Sequence, residues 1–192
     1  MITSKLARNR HMLHADLVGA EEMNMNIVIR DEVLEDAGAI SEITRAAFED
    51  HPYSHHTEQF IIRALRDLGA LTISLVAEMD GKIAGHAAFS PVEISDGSQN
   101  WYGLGPVSVA PELQKQGIGK ALINRGLELL VARDACGCVL VGDPAYYRRF
   151  GFKSLPGLLH EGVPDPFVLA LTLKGAYPSG MVKFHEAFWV KE

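Results

Sequence analysis

The sequence is poor in cysteine and has no long apolar run, and each shortage excludes a class of protein. Its 192 residues include two cysteines, Cys136 and Cys138, which are too few ligands for a structural zinc site. On one strand their Cα atoms would lie about 6.6 Å apart, near the outer limit for a disulfide. We therefore expect reduced core residues in a cytoplasmic protein. No apolar run approaches the roughly 20 residues of a membrane span.

An excess of basic residues is also lacking. The formal net charge is −6, which argues against a nucleic-acid binder, because such a protein needs a basic face for phosphates. The negative charge slightly favours a cationic or amine-bearing substrate. With 47% hydrophobic and 22% charged residues, the composition is that of an ordinary globular protein.

No repeat or linker divides the chain, and its length favours one domain. Residues 1–25 differ from the rest: their charge is mixed, they lack a steady period, and they contain no apolar core of a secretory signal. We expect a flexible N-terminal extension there, with a short helix over residues 6–17 as the alternative. Residues 26–192 are then a single domain.

One stretch in the middle of the chain predicts an anion site. Residues 101–109 have the pattern of a strand, and a turn at Pro111 leads to Gln114-Lys115-Gln116-Gly117-Ile118-Gly119. An amphipathic helix follows, with Lys120, Asn124 and Glu128 on its polar side. The free N–H groups and the dipole at the start of a helix bind phosphate, and glycine lets an anion approach the backbone. The alternative is that both glycines merely ease a tight turn.

Two other glycine motifs are excluded by single residues. A P-loop requires Ser or Thr after Gly-Lys, but Ala121 follows Gly119-Lys120. A dinucleotide fingerprint requires a third glycine where Ser108 stands after Gly103 and Gly105. The predicted anion site is therefore neither a P-loop nor a dinucleotide-binding loop.

The motif Gln-x-x-Gly-x-Gly after a Val-x-Pro turn resembles the acetyl-CoA-binding motif of the GNAT superfamily of N-acetyltransferases. A second element, Ala145-Tyr146-Tyr147-Arg148-Arg149-Phe150-Gly151-Phe152, is similar to the Tyr-x-x-x-Gly-Phe found late in that fold. The resemblance covers about residues 26–173. The run from Gly142 to Tyr147 also resembles a small stand-alone bacterial subgroup of predicted acetyltransferases.

The order of predicted elements agrees with that family. The periodicity predicts a strand over 26–30, helices over 33–48 and 57–69, and a hairpin of strands 71–78 and 82–92 across Asp80-Gly81. After the long helix come a buried strand at 137–142, a short helix capped by Asp143, and strands at 152–155 and 167–173, with a last edge strand in the tail. The fold class is therefore α/β with a mixed, mostly antiparallel sheet and helices on both faces. The resemblance adds a central parallel strand pair that splays apart.

The resemblance also implies the donor site. Backbone N–H groups would bind the pyrophosphate of coenzyme A from Gln114, Lys115, Gln116, Gly117, Ile118, Gly119, Lys120 and Ala121. The main chain of Val107, Ser108 and Val109 would pair with the pantetheine arm, and the Val109 N–H is a candidate oxyanion donor. Tyr147, four residues before Gly151, would act as the general acid for the departing sulfur. No metal is implied.

The acceptor amine must lose a proton before it attacks, but the sequence does not settle which base takes that proton. We place Glu93 first, with Glu78 and His86 as alternatives. The family fold puts the first two helices and their loop beside the acceptor, so Tyr53 and His55 are candidate wall residues. A polar surface loop is the plainer interpretation of the histidines at 51, 55 and 56.

The sequence thus predicts an acetyl-CoA-dependent N-acetyltransferase for a primary amine of a small molecule or a peptide. The alternatives are a non-catalytic acyl-CoA sensor and a transferase for a longer acyl-CoA. We expect neither nucleic acid nor membrane as a partner. A homodimer stays open, because apolar residues at 180–190 suit a second subunit as well as the chain's own sheet.

Overall fold

The computed structural model describes residues 27–191, so the predicted extension over residues 1–25 lies outside the described residues. The strands, in chain order, are β1 (Ile27–Asp31), β2 (Ile73–Met79), β3 (Lys82–Ile94), β4 (Trp101–Val109), β5 (Gly137–Val141), β6 (Leu158–Leu159), β7 (Val168–Thr172) and β8 (Gly180–Phe184). The α-helices are α1 (Ala37–Phe48), α2 (Glu58–Asp67), α3 (Ile118–Ala132) and α4 (Pro144–Tyr147).

The main sheet has the order β1-β2-β3-β4-β5-β7. Its neighbours are antiparallel except β4 and β5, which run parallel, so the predicted mixed, mostly antiparallel sheet is confirmed. The predicted hairpin turn is confirmed too: Asp80 and Gly81 have φ of 50° and 75°, as a two-residue type I′ turn requires.

Helices lie on both faces of this sheet because its inner strands are apolar on both sides. On β2, Leu75 belongs to the cluster that includes Leu122 of α3, whereas the next residue, Val76, packs with Ile40 of α1 and Ile62 of α2. Successive strand residues point to opposite faces. α3 therefore covers one face, and α1 and α2 cover the other.

The parallel pair in the centre of the sheet separates part-way along. β4 pairs with β5 only from Trp101 to Gly103, opposite Gly137 to Val139, although β4 continues to Val109 and β5 to Val141. Beyond Gly103 the β5 side of β4 has no strand partner among the described residues. The expected splayed pair is thereby confirmed.

Two expectations for the last third of the chain need revision. No strand forms over 152–155; Lys153 alone bridges Ala170, exchanging both main-chain hydrogen bonds at 3.0 and 2.9 Å. Pairing ends there because the chain turns at Pro156, which has no N–H to donate. The predicted loop at 156–166 contains the two-residue β6. The predicted last edge strand is β8, which pairs with β3 and with β6.

Cys136 is half-buried and Cys138 is fully buried, and both are free thiols. Burial raises the pKa of the Cys138 thiol, so it stays protonated and packs as a small apolar side chain. Within residues 27–191 no helix has both the length and the apolar character needed to cross a membrane.

Candidate active site

The bend between β4 and α3 presents a row of main-chain donors. Lys115 and Gly117 have φ of 63° and 91°, in the left-handed region, and these kinks turn successive N–H groups toward one side. The N–H groups of residues 115–120 find no acceptor among the described residues, and the first helical bond at this end is Ala121 N–H to Gly117 C=O at 3.0 Å. Six consecutive donors at a helix start form an anion cradle.

The first turn of α3 is open where an anion would approach. A methyl group on Gly119 would lie 3.3 Å from the Tyr146 hydroxyl oxygen and 3.6 Å from a Val109 methyl carbon. Any side chain at 119 would thus fill the narrow space between the bend and α4. Lys120, Asn124 and Glu128 are exposed, and Leu122 and Leu130 are buried, which confirms the predicted amphipathic helix.

The free edge of β4 begins where β5 departs. Ala110 N–H donates to Ala84 C=O at 2.9 Å, and Ser108 stands opposite His86. In an antiparallel ladder alternate residues face the partner strand. The main-chain groups of Val107 and Val109 therefore point away from β3, toward the gap left by β5, where a ligand can accept and donate in place of a strand.

Ser108 is different from its two neighbours. Alternation assigns its main chain to the β3 ladder, and its side chain lies in a hydrogen bond of 3.0 Å with the Thr44 hydroxyl under α1. Of the three residues predicted to pair with pantetheine through the main chain, only Val107 and Val109 turn their groups toward the gap, where the Val109 carbonyl accepts from the Gln114 side-chain amide at 3.3 Å. We narrow that prediction to these two.

Tyr147 lies where the Asp143 cap places it. The Asp143 carboxylate accepts from Ala145 N–H at 2.8 Å, with Pro144 in the first turn as predicted. The Tyr147 ring packs edge-on against Tyr146 and Phe152 at centroid distances of 4.9 and 6.0 Å. Burial raises the pKa of Tyr147, so its phenol keeps its proton at neutral pH.

Tyr146 is a residue whose position the sequence did not predict. Its spacing in the motif favours a structural residue, but its hydroxyl reaches the start of α3 beside Gly119. Arg149 stacks over the Tyr146 ring at 4.7 Å and donates to the Tyr146 carbonyl at 2.9 Å. Tyr146 therefore forms a wall of the gap between α3 and α4. In the sequence, the only signal for this position of Tyr146 is that it directly precedes Tyr147.

The structure does not bring Glu93 to this site. Val107 stands opposite Ala87, and Glu93 lies six residues further along β3, about 20 Å at the strand rise per residue. There its carboxylate is 82% exposed and faces Lys183 of β8 at 3.9 Å. Glu93 thus lies exposed to solvent at the far end of β3, too far from the gap to take a proton there.

The alternative bases occupy two other environments. Glu78 accepts from Arg30 at 2.8 Å near the β1 edge of the sheet. His86 is 0% exposed. It lies on β3 opposite Ser108 of β4, the residue between Val107 and Val109. Tyr53 and His55 lie in the exposed loop between α1 and α2, where Tyr53 is 87% exposed. Among residues 27–191, no group of three or more His, Cys, Asp or Glu is arranged to hold a metal.

These features, a cradle of free amides at the start of a helix beside a splayed parallel pair, agree with comparisons to known proteins. The model of the acetyltransferase (GNAT) family matches residues 39–152, which span β3, β4, the bend, α3 and the Tyr147 helix. The chain belongs to the GNAT acetyltransferase family. It is accordingly an acyltransferase, and the family resemblance inferred from its sequence is confirmed.

Relatives with solved structures cover most of this GNAT chain. A GNAT family acetyltransferase from Brucella melitensis in complex with acetyl-CoA is 46% identical, with a TM-score of 0.76, over 85% of this chain and 99% of the other. The N-acetyltransferase YhbS from Escherichia coli in complex with CoA is 31% identical, with a TM-score of 0.78, over 86% of this chain and 93% of that one.

Sequence comparison finds the same relative. The curated protein named uncharacterized N-acetyltransferase YhbS, from Escherichia coli strain K12, is 36% identical over 128 residues, which are 66% of this chain and 74% of the relative. A second Escherichia coli protein, the uncharacterized N-acetyltransferase YjhQ, is 31% identical over 135 residues, 69% of this chain and 71% of that protein. The predicted α/β fold class is thus shared with the GNAT structures.

Proposed function

We propose that this GNAT protein moves the acetyl group of acetyl-CoA to a primary amine of a small molecule or a peptide by direct attack. The observation that carries the proposal is the row of six free amides at 115–120. It lies beside the free edge of β4, and the two together match the two ends of the donor. The amides suit a pyrophosphate, and the Val107 and Val109 main chain suits the amide-bearing pantetheine arm.

Relatives support the choice of donor. The Brucella melitensis protein is in complex with acetyl-CoA and the Escherichia coli YhbS protein with CoA. The residues of this chain fit that ligand, because a side chain at 119 would meet Tyr146 and Val109 and glycine leaves the space free. Backbone donors that are fixed before the reaction stabilise developing negative charge, and the Val109 N–H faces the gap in which the thioester carbonyl would lie.

In this proposal Tyr147 delivers the proton that the departing sulfur needs. A thiol leaves more readily when its sulfur is protonated as the bond breaks. The raised pKa of Tyr147 keeps the phenol protonated, as a general acid must be at the start of each cycle.

Thiol release from acetyl-CoA tests this function. Wild-type protein incubated with acetyl-CoA and a panel of alkylamines, amino acids and peptides should release thiol faster than the same mixture without protein. Tyr147→Phe should lower kcat by about 100-fold, within the usual range for a general acid, with the CoA affinity unchanged. Tight acetyl-CoA binding without turnover of any amine would favour an acyl-CoA sensor instead.

Two other tyrosines provide matched controls. Tyr102→Phe removes a hydroxyl that bonds Asn100 at 3.0 Å on the far half of β4, and its kcat should equal that of the wild type. Tyr146→Phe removes the hydroxyl beside Gly119, where we expect a change in CoA affinity rather than in kcat. A larger fall in kcat for Tyr146→Phe than for Tyr147→Phe would transfer the acid role to Tyr146.

A further inference from the structure

A partly buried polar cluster lies on the sheet face that α1 and α2 cover. Its members come from β2, β3, α2 and the residue after β1, and we call them the His86 cluster: Glu32, Arg66, Ser74 and His86. Arg66 donates to the Glu32 carboxylate at 2.7 and 3.0 Å. The Ser74 hydroxyl lies 2.6 Å from Glu32 and 2.8 Å from the His86 Nε2.

The hydrogen bonds of Ser74 fix which nitrogen of His86 carries the proton. Burial alone would raise the pKa of Glu32, but hydrogen bonds from His86, Arg66 and Ser74 outweigh it and lower the pKa, so Glu32 is ionised and can only accept. The single hydroxyl proton of Ser74 goes to Glu32. Ser74 must then accept from His86, which places the ring proton on Nε2 and leaves Nδ1 as a bare lone pair.

That lone pair is buried and finds no donor. His86 Nδ1 has no hydrogen-bond partner among the described residues, and neither has the Ser90 hydroxyl four residues along the same face of β3. Both residues are 0% exposed. A buried polar atom without a partner destabilises the fold, so two of them on one strand face indicate a place where a ligand or a water supplies the partner.

The two unpartnered atoms flank the irregularity in the β4 ladder. His86 stands opposite Ser108 and Ser90 opposite Gly103, and the register shifts between them, at Ala87 and Phe89. A methyl group on Gly105 would meet nothing within 4 Å, so the backbone at this bulge borders open space. His86 thus stands opposite Ser108, the residue between Val107 and Val109, whose main-chain groups face the gap.

We propose that His86 Nδ1 is the general base that takes the proton from the acceptor amine, directly or through one water, with Ser74 and Glu32 orienting the ring. This inference rests on the proposed acetyl transfer and supplies the base that Glu93 does not. The arrangement is that of a carboxylate stabilising an imidazolium through the opposite ring nitrogen, here with a hydroxyl between them.

The proton balance is complete with the groups present. A charged amine loses one proton to His86 Nδ1, and its freed electron pair forms the C–N bond with the acetyl carbon. The C–S bond breaks, its electron pair stays on sulfur, and Tyr147 protonates the sulfur. The amide nitrogen gives up its second hydrogen as the intermediate collapses, which restores the Tyr147 proton through solvent. The first proton leaves His86 for solvent between turnovers.

The charges around His86 set its resting state. Burial lowers the pKa of His86, and the negative Glu32 carboxylate, 3.5 Å from Nε2, partly opposes that effect. Arg66 acts in the same direction as burial, and Asp36 acts with Glu32. The remaining neighbours, Ser74, Thr44 and Ser108, are neutral hydroxyls. The ring is therefore unprotonated at neutral pH, as a base must be before it meets the amine.

The variant His86→Gln tests the base, because its side-chain N–H₂ can still donate to Ser74 while Nδ1 is lost. Two probe amines separate a base from a merely structural residue. n-Butylamine is charged at pH 7 and needs deprotonation, whereas methoxyamine is a weak base that is already neutral. With n-butylamine we expect kcat/KM to fall about 100-fold. With methoxyamine we expect a fall of under about threefold, and the CoA affinity should equal that of the wild type.

Glu32→Gln gives a second measurement. It keeps a hydrogen-bonding side chain and removes the charge that raises the pKa of His86, so the acid limb of the kcat profile should move to lower pH. Equal losses of kcat/KM with both amines in His86→Gln, or an unmoved acid limb in Glu32→Gln, would overturn the base while leaving acetyl transfer intact. Wild-type protein that releases thiol with no amine or peptide of the full panel, these two included, would overturn the transfer itself, and the base with it.

Discussion

The first three and the last three residues of β4, which we call its paired half and its free half, have opposite tasks. Residues 101–103 pair with β5, and Tyr102 and Gly103 also pair with β3; Trp101 is 3% exposed. From Val107 to Val109 it pairs with β3 alone. The first half is ordinary sheet interior, and the second leaves a row of main-chain groups without a strand partner.

The difference shows that a binding edge can be made by ending one ladder rather than by adding a loop. An unpaired strand edge normally invites another chain, but here the gap is narrow because β5 stays attached at the first half. The bend at 115–120 lies directly after the free half, so in the proposed function the donors of the strand and of the helix face one ligand. On that proposal, stability and binding are carried by different halves of one strand.

The largest effect on ligand binding should come from adding a side chain at Gly119, at the start of α3 beside the free half of β4. Gly119→Val places a branched side chain against Tyr146 and Val109 and covers the amides of the cradle. We expect the Kd for CoA to rise about 100-fold, which is about 2.7 kcal/mol and lies within the roughly 1.5–3 kcal/mol of a hydrogen bond to a charged group. Calorimetric titration with CoA measures it.

A glycine at the equivalent place in another helix is the control. Gly38 is also the second residue of its helix, α1, and an added methyl there meets nothing within 4 Å. Gly38→Val should leave the Kd for CoA unchanged. Equal losses of CoA affinity in both variants would mean that the cradle of α3 has no special role.

A substitution that disturbs the paired half of β4 should instead lower the stability of the fold. A methyl group on Gly137 would overlap the Trp101 ring and lie 2.6 Å from the Leu171 carbonyl oxygen. Gly137→Ala should therefore lower the free energy of unfolding by about 1–3 kcal/mol, measured by urea titration. Val141→Ala, at the exposed end of β5, should cost under about 1 kcal/mol. A Gly137→Ala protein as stable as the wild type would contradict the tight packing of this half.

A smaller, pH-dependent effect is expected far from β4. Asp36 accepts from Arg30 and from Val33 N–H, and the Arg30 hydrogen bond lowers the pKa of that carboxyl. Because the folded pKa lies below the unfolded value near 3.9, the stabilisation is present above that value and is lost as pH falls through the folded pKa. Asp36→Asn should be about 1–2 kcal/mol less stable than the wild type at pH 7.

The same variant separates anchoring of α1 from donor binding. The stability deficit of Asp36→Asn should shrink as pH falls below about 4, in urea titrations at several pH values, while its Kd for CoA at pH 7 stays that of the wild type. Asp31→Asn, an exposed neighbour, is the control and should show no deficit. A deficit that is constant from pH 7 to pH 3 would contradict the depressed pKa of Asp36.

The sequence predicted what depends on neighbouring residues. Period and turn chemistry placed β2, β3, β4 and α3 close to their observed bounds, and Gly117 with Gly119 indicated the cradle. Contacts between distant elements left no local signal. Nothing in the sequence around Glu32 or Ser74 shows that β1, β2 and α2 bring them to His86. Glu93 was preferred as a residue at the end of a strand near the central cleft, but its distance from the gap is set by the register between β3 and β4, which the sequence does not show.

The C-terminal strand has a consequence for assembly and handling. β8 pairs with β3 at residues 182–184 and with β6 at Gly180 and Met181, so each of its residues has a partner strand within the chain. Its Val182 and Phe184 also cover the apolar surface around Trp101 and Val139. Shortened versions of the chain that lack this strand would expose unpaired main-chain groups of β3 and β6 and an apolar surface. They should precipitate even though every residue assigned to the donor site is intact.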